Sequence, residues 1–130
     1  MSANLTKEAS MPTQAMAAVM RKDREAWLNC FSDEAILQDP VGGSPLDPEG
    51  KGLVGREALG RFWDAVVAPA GRVRFDVREE HTSGSSVARV ATVHIELGNA
   101  EIQYDGVFVY DLGAEGRIEC LRGYFEAPGS

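Results

Sequence analysis

The sequence predicts an α+β domain in which three N-terminal helices cover one face of a curved, mainly antiparallel sheet. Two observations carry this expectation. Up to about residue 70, apolar residues recur at i, i+3 and i+4, the spacing of a one-sided helix. From Val73 onward they alternate with polar residues in four runs separated by short Gly-containing turns, the pattern of hairpin-linked strands. Helices segregated from a strand meander are the signature of an α+β layer rather than of alternating βαβ units.

The elements follow in order. Residues 1–10 read as a flexible terminus and 11–127 as one domain. Ser10 and Pro12 form a helix start, and Met16, Val19 and Met20 give a first helix running to about Lys22. Asp23 is placed to cap a second helix reaching about Ser32, with Trp27, Cys30 and Phe31 as its apolar face. A short strand is expected over 35–39, stopped by Pro40, which has no N–H for a ladder and restrains the residue before it. Val41–Leu53, with Gly42, Gly43, Pro45, Pro48 and Gly50, reads as a long loop of the kind that often serves function. Gly55 opens a third helix whose stripe is Leu59, Phe62, Trp63 and Val66, ended by Pro69-Ala70-Gly71. The strands begin near Val73, then run Val87–Leu97, Ile102–Leu112 and Arg117–Phe125.

Composition narrows the partners. A chain of 130 residues buries roughly two-thirds of its extended surface and needs no staples. Its net charge of -7 disfavours nucleic acid and anionic membrane surfaces, which select basic faces. No apolar run approaches the roughly 18 residues of a membrane span, and Met1–Met11 is too polar for a signal peptide. A cytoplasmic protein is expected. Cys30 and Cys120 lie far apart and form no ligand spacing with the histidines, so they read as buried reduced thiols. No metal site, phosphate loop or organic cofactor is indicated.

Asp39 is the side chain with the most chemical promise. It follows an apolar strand, precedes proline and opens the long loop. A carboxylate held between an apolar sheet and an apolar helix is poorly solvated, which raises its pKa and makes it a better base. Asp-Pro is also an ordinary turn starter, and spacing alone favours that reading.

The stretch Phe31-Ser-Asp-Glu-Ala-Ile-Leu-Gln-Asp39-Pro-Val-Gly42 resembles the bacterial ketosteroid isomerases, whose hallmark ends in D-P-V-G. Lys22–Leu28, Gly55–Trp63 and Gly116–Phe125 are similar to the family's second helix, third helix and final strand, so the resemblance spans nearly the whole chain. It implies the cone-shaped nuclear transport factor 2-like fold, a proton shuttle at Asp39, and a pair of hydrogen-bond donors for a dienolate oxygen; ketosteroid isomerase is a standard illustration of that chemistry. The chain departs from the family at both donors. The donor tyrosine falls on Ala15, and the donor acid falls on Gly106 or, with a one-residue shift to the other strand face, on Asp105. Trp63, Tyr104, Tyr124 and His94 are possible substitutes.

The expected site is therefore Asp39 and Asp105 as catalytic groups, with Phe31, Leu59, Phe62, Trp63, Val66, Tyr104, Phe108, Leu121 and Phe125 lining a pocket for a steroid-like or polyketide-like apolar molecule. Two functions follow: a steroid Δ-isomerase or related proton-shuttling enzyme, including a polyketide cyclase-like one, or a non-catalytic binder. The resemblance also implies a homodimer through the outer sheet face, with Val87, Val107 and Val109 as exposed alternating positions.

Overall fold

The computed structural model describes residues 9–126. Most of the expected flexible terminus, and residue 127 of the expected domain, lie outside the described residues. Helix α1 spans Met11–Met20; the Ser10 side chain accepts from the Thr13 N–H, and Pro12 sits in the first turn, where its missing N–H costs nothing. Helix α2 spans Arg24–Asn29, capped by Asp23, whose carboxylate accepts from the Ala26 N–H at 3.1 Å. It ends three residues before the expected Ser32. Phe31 and Ser32 instead begin strand β1, Phe31–Gln38, because the backbone at this point pairs across the sheet: the Ile118 N–H donates to the Cys30 carbonyl at 2.8 Å, and Phe31 lies opposite Ile118.

A two-residue strand β2, Leu53–Val54, pairs antiparallel with β1, so the long loop stops one residue sooner than expected. Gly55 caps helix α3, Arg56–Phe62, which continues as a π-helical turn, Trp63–Val67, closed by the Ala68 N–H on the Trp63 carbonyl at 2.9 Å. Four strands complete the chain: β3 Arg72–Ser83, β4 Ser86–Leu97, β5 Ala100–Leu112 and β6 Ile118–Tyr124. The sheet order is β2-β1-β6-β5-β4-β3, with only β1 and β6 parallel. This is the expected α+β architecture.

The helices cover one face of the curved, unclosed sheet. Trp27 anchors the core between them, with ring centroids 4.7 Å from Phe31, 5.4 Å from Trp63 and 6.1 Å from Phe62. Burying side chains of this size contributes about 1.5–3 kcal/mol each. Arg89 ties α1 to the sheet: its guanidinium donates to Thr13 Oγ1 at 2.6 Å and Ser10 Oγ at 3.2 Å, and pairs with Glu80 at 2.7 Å. The strand alternation then sorts the side chains. Val87, Arg89, Ala91, Val93 and Ile95 of β4 face the helices, while Ala88, Val90, Thr92 and His94 face outward. Val87, expected on the outer face, is thus a correction; it is buried opposite Tyr110 on the helix side, one register position from where it was placed. Val107 and Val109 do lie on the outer face.

Candidate functional site

Between helices and sheet lies a cavity of two chambers sharing the walls formed by Asp39, Phe62, Val66, Ile95 and Tyr104. The inner chamber, about 90 Å³, reaches Ala15, Met16, Phe108, Tyr110 and Leu121; the outer one, about 450 Å³, opens past Pro45, Leu46 and Ile102. Together they fall in the size range of small-molecule sites, roughly 300–1,000 Å³. The walls are apolar apart from Asp39, Ser44 and two tyrosines, Tyr104 and Tyr110.

The π-helical turn shapes one wall. Inserting one residue into the helical repeat lets Phe62, Val66 and Val67 all present to the inner chamber, and leaves Val66 45% exposed at its entrance. The loop after β1 shapes the other. Asp47 is buried, and its carboxylate accepts from the backbone N–H groups of Lys51 (3.1 Å) and Gly52 (2.9 Å), while Ser44 and Asp47 exchange backbone hydrogen bonds. This fixes Ser44, Pro45 and Leu46 at the mouth. Gly50, at φ 71°, lies so close to Gly42 that a Cβ would sit 3.0 Å from its carbonyl carbon.

Asp39 follows the last residue of β1, and the Asp39–Pro40 peptide is cis. Among the described residues its carboxylate has no hydrogen-bond partner. It rests against Gly123, where a Cβ would lie 3.2 Å from Oδ1, 2.9 Å from the Phe125 ring and 3.3 Å from the Phe108 ring. Glycine at 123 is what allows the acid and both rings to converge. The accessible part of Asp39 opens onto the cavity, and burial raises its pKa to about 6.

The expected pocket residues divide. Phe62, Val66, Tyr104, Phe108, Leu121 and Phe125 line the chambers. Phe31, Leu59 and Trp63 do not; they are core residues beneath, 1–3% exposed, packed with or beside Trp27. Asp105 is also a correction. β5 turns Tyr104, Gly106, Phe108 and Tyr110 inward, so Asp105 faces outward, accepting from Thr92 Oγ1 at 2.6 Å with Arg78 3.7 Å away. The inward position belongs to Gly106, over which Phe108 and Phe125 close: a Cβ there would lie 3.1–3.2 Å from them. His94 and Tyr124 are likewise on the outer face; His94 pairs with Asp76 at 2.8 Å, a contact that leads in lowering the Asp76 pKa. Tyr110 is one of several lining residues outside the expected set, with Met16, Leu37, Val93 and Ile95 among the others, although its even spacing from Tyr104 and Phe108 puts it on the same strand face.

Comparison with known proteins agrees with this fold. A family model for the SnoaL-like domain matches residues 13–120. The structure of the Mycobacterium tuberculosis protein RV0760c superposes with a TM-score of 0.85 at 29% identity, covering 92% of this chain and 95% of that one. The same protein in complex with estradiol-17β-hemisuccinate gives 0.82 at 30% identity over 89% and 91% of the two chains. A Δ5-3-ketosteroid isomerase from Mycobacterium sp. gives 0.83 at 28% identity over 89% and 90%. No curated protein sequence gives a significant match. The chain belongs to the SnoaL-like domain family, as a ketosteroid isomerase-like member of the nuclear transport factor 2-like superfamily.

Proposed function

We propose that this protein is a proton-shuttling isomerase of the steroid Δ-isomerase kind, with Asp39 as its general base. The observation that carries the proposal is an unpartnered carboxylate in an apolar cavity, with its pKa raised to about 6. Such a group is ionised at neutral pH yet basic enough to accept a carbon-bound proton. In the reaction Asp39 removes a proton from the carbon between the carbonyl and the alkene of a β,γ-unsaturated ketone. The electron pair moves onto the carbonyl oxygen as a dienolate. The same proton returns two carbons away, the double bond moves into conjugation, and the carboxylate is regenerated. The likeness to a Δ5-3-ketosteroid isomerase and to a protein holding a steroid ester supports a flat, apolar, steroid-like ligand.

A second reading is a non-catalytic binder of the same class of molecule. It is favoured by Ala15 and Gly106, which stand where the resemblance puts the two oxyanion donors; loss of such donors removes a large electrostatic contribution to catalysis. One assay decides between them. Wild type mixed with a Δ5-3-ketosteroid is expected to generate conjugated-enone absorbance faster than buffer, and Asp39→Asn to lose about 10²–10⁴-fold of that rate. Equal rates for wild type, variant and buffer overturn the isomerase reading. A cytoplasmic location belongs to the same proposal and is supported by the two free thiols, Cys30 and Cys120.

A further inference from the structure

Tyr110 as a whole is 3% exposed and lines the inner chamber, and among the described residues no protein group hydrogen-bonds its hydroxyl. The buried side-chain atom without a partner among the described residues is Arg122 Nε, so the Tyr110 hydroxyl keeps accessible surface, and that surface faces the chamber it lines, where a polar group of a ligand would meet it. The sheet register locates it relative to the base. Leu37, Leu121, Tyr110 and Val87 form one row across β1, β6, β5 and β4, and Asp39 stands one inward position further along β1. Two strands across and two residues along put the Tyr110 and Asp39 backbones about 12 Å apart, so their side chains approach one cavity from different strands. Helix α1 contributes Ala15 to the same chamber.

We propose that the Tyr110 hydroxyl is the hydrogen-bond donor for the carbonyl oxygen of the ligand, so that the ketone end enters the inner chamber first and the rest of the molecule fills the outer one. The inference rests on the pocket being the binding site for an apolar ketone. It moves the donor from the helix, where the resemblance places it, to the sheet. Burial pushes the Tyr110 pKa upward, which keeps the phenol protonated at neutral and mildly alkaline pH. Tyr104 is a different case: it lies four residues to the other side of Phe108, toward the entrance, with its ring against Phe125 at 4.7 Å.

The test is binding of a Δ4-3-ketosteroid and of its 3-deoxy analogue at pH 8, where Asp39 is ionised and cannot donate. Binding is followed by tryptophan fluorescence and by the position of the enone absorption band. Wild type is expected to bind the ketone about 5–10-fold more tightly than the deoxy analogue, as for one net hydrogen bond, and to shift the enone band to longer wavelength. In Tyr110→Phe the preference and the band shift are expected to disappear, while the deoxy analogue binds as before and the melting temperature of the free protein is unchanged or higher. Wild type that binds both steroids alike, or Tyr110→Phe that keeps the band shift and the ketone affinity, overturns the proposal and leaves the pocket reading intact. Wild type that binds neither steroid overturns both.

Discussion

A carboxylate without a partner is costly, and at Asp39 the cost has a pH signature. The folded pKa, about 6, lies above the ordinary carboxylate value of 3.8, so the native state holds the proton more tightly than the unfolded chain. Stability is therefore unaffected by this group below about pH 4, falls as pH rises from 4 through 6, and stays lower above that. The difference is on the order of 2–3 kcal/mol for a shift of that size. Asp39→Asn, a neutral side chain of similar shape, is expected to melt several degrees above wild type at pH 8 and close to it at pH 3. Activity should run the other way. The base must be ionised, so kcat/KM for a β,γ-unsaturated ketosteroid is expected to rise with pH and level off above about 6. Thermal melts of the two proteins across this range, beside the pH–rate profile, check both halves. A variant no more stable than wild type at pH 8 would show that Asp39 is solvated. The residue traded for function here is one whose removal should strengthen the fold.

At the scale of elements, the site is built by two irregular pieces set on regular ones: the π-helical turn after α3 and the loop after β1. The loop owes its shape to one carboxylate. Asp47→Ala strips the acceptor from the Lys51 and Gly52 N–H groups, and hydrogen bonds to a charged group are worth about 1.5–3 kcal/mol. A lower melting temperature and faster tryptic cleavage at Lys51 are expected; a variant indistinguishable from wild type in both would mean that the loop is held by its other contacts. How legible these elements were in the sequence depends on the strength of each period. The stripe Leu59-Phe62-Trp63-Val66 announced α3, and the alternation after Val73 announced the meander, because both are long. Phe31 is ambiguous in the sequence because i+4 spacing from Trp27 continues a helix as well as it begins a strand, and its pairing with the distant Ile118 makes it strand. Asp105 was a one-residue problem: the motif cannot choose between adjacent positions, whereas the pleat assigns them to opposite faces. Asp47 and the π-helical turn left no periodic trace, and acids in Gly/Pro-rich loops carry that signal only through their capacity to accept from nearby backbone.

For the whole molecule the decisive asymmetry is that helices cover one sheet face and leave the other without a layer. Single-faced antiparallel sheets tolerate water when the outer side chains are polar. Here the outer face carries Ala88, Val90, Val107 and Val109 at its centre, all half-buried by their neighbours, between two polar clusters. At one end Asp111 accepts from Ser86 Oγ at 2.5 Å and Arg122 at 2.9 Å; at the other, Asp105 meets Thr92 and Arg78. Among the described residues Arg122 Nε is buried without a partner. An apolar centre with a polar rim is the anatomy of a protein interface, and we propose that two copies pair through it as a homodimer. The edge strand β3 is an unsuitable alternative contact, since Arg72, Arg74, Asp76, Arg78, Glu79 and Glu80 crowd it with charge. Sedimentation equilibrium at tens of micromolar is expected to give twice the 14.0 kDa chain mass, and Val109→Glu to return the single-chain mass by placing a charge in the apolar centre. Val109 points away from the cavity, so ketosteroid affinity per chain should survive that change if each cavity is complete within one chain. A wild-type protein that sediments at 14.0 kDa would remove the dimer. A Val109→Glu monomer that loses affinity would instead show that pairing stiffens the sheet beneath Phe108 and Tyr110, the strand on which the pocket depends.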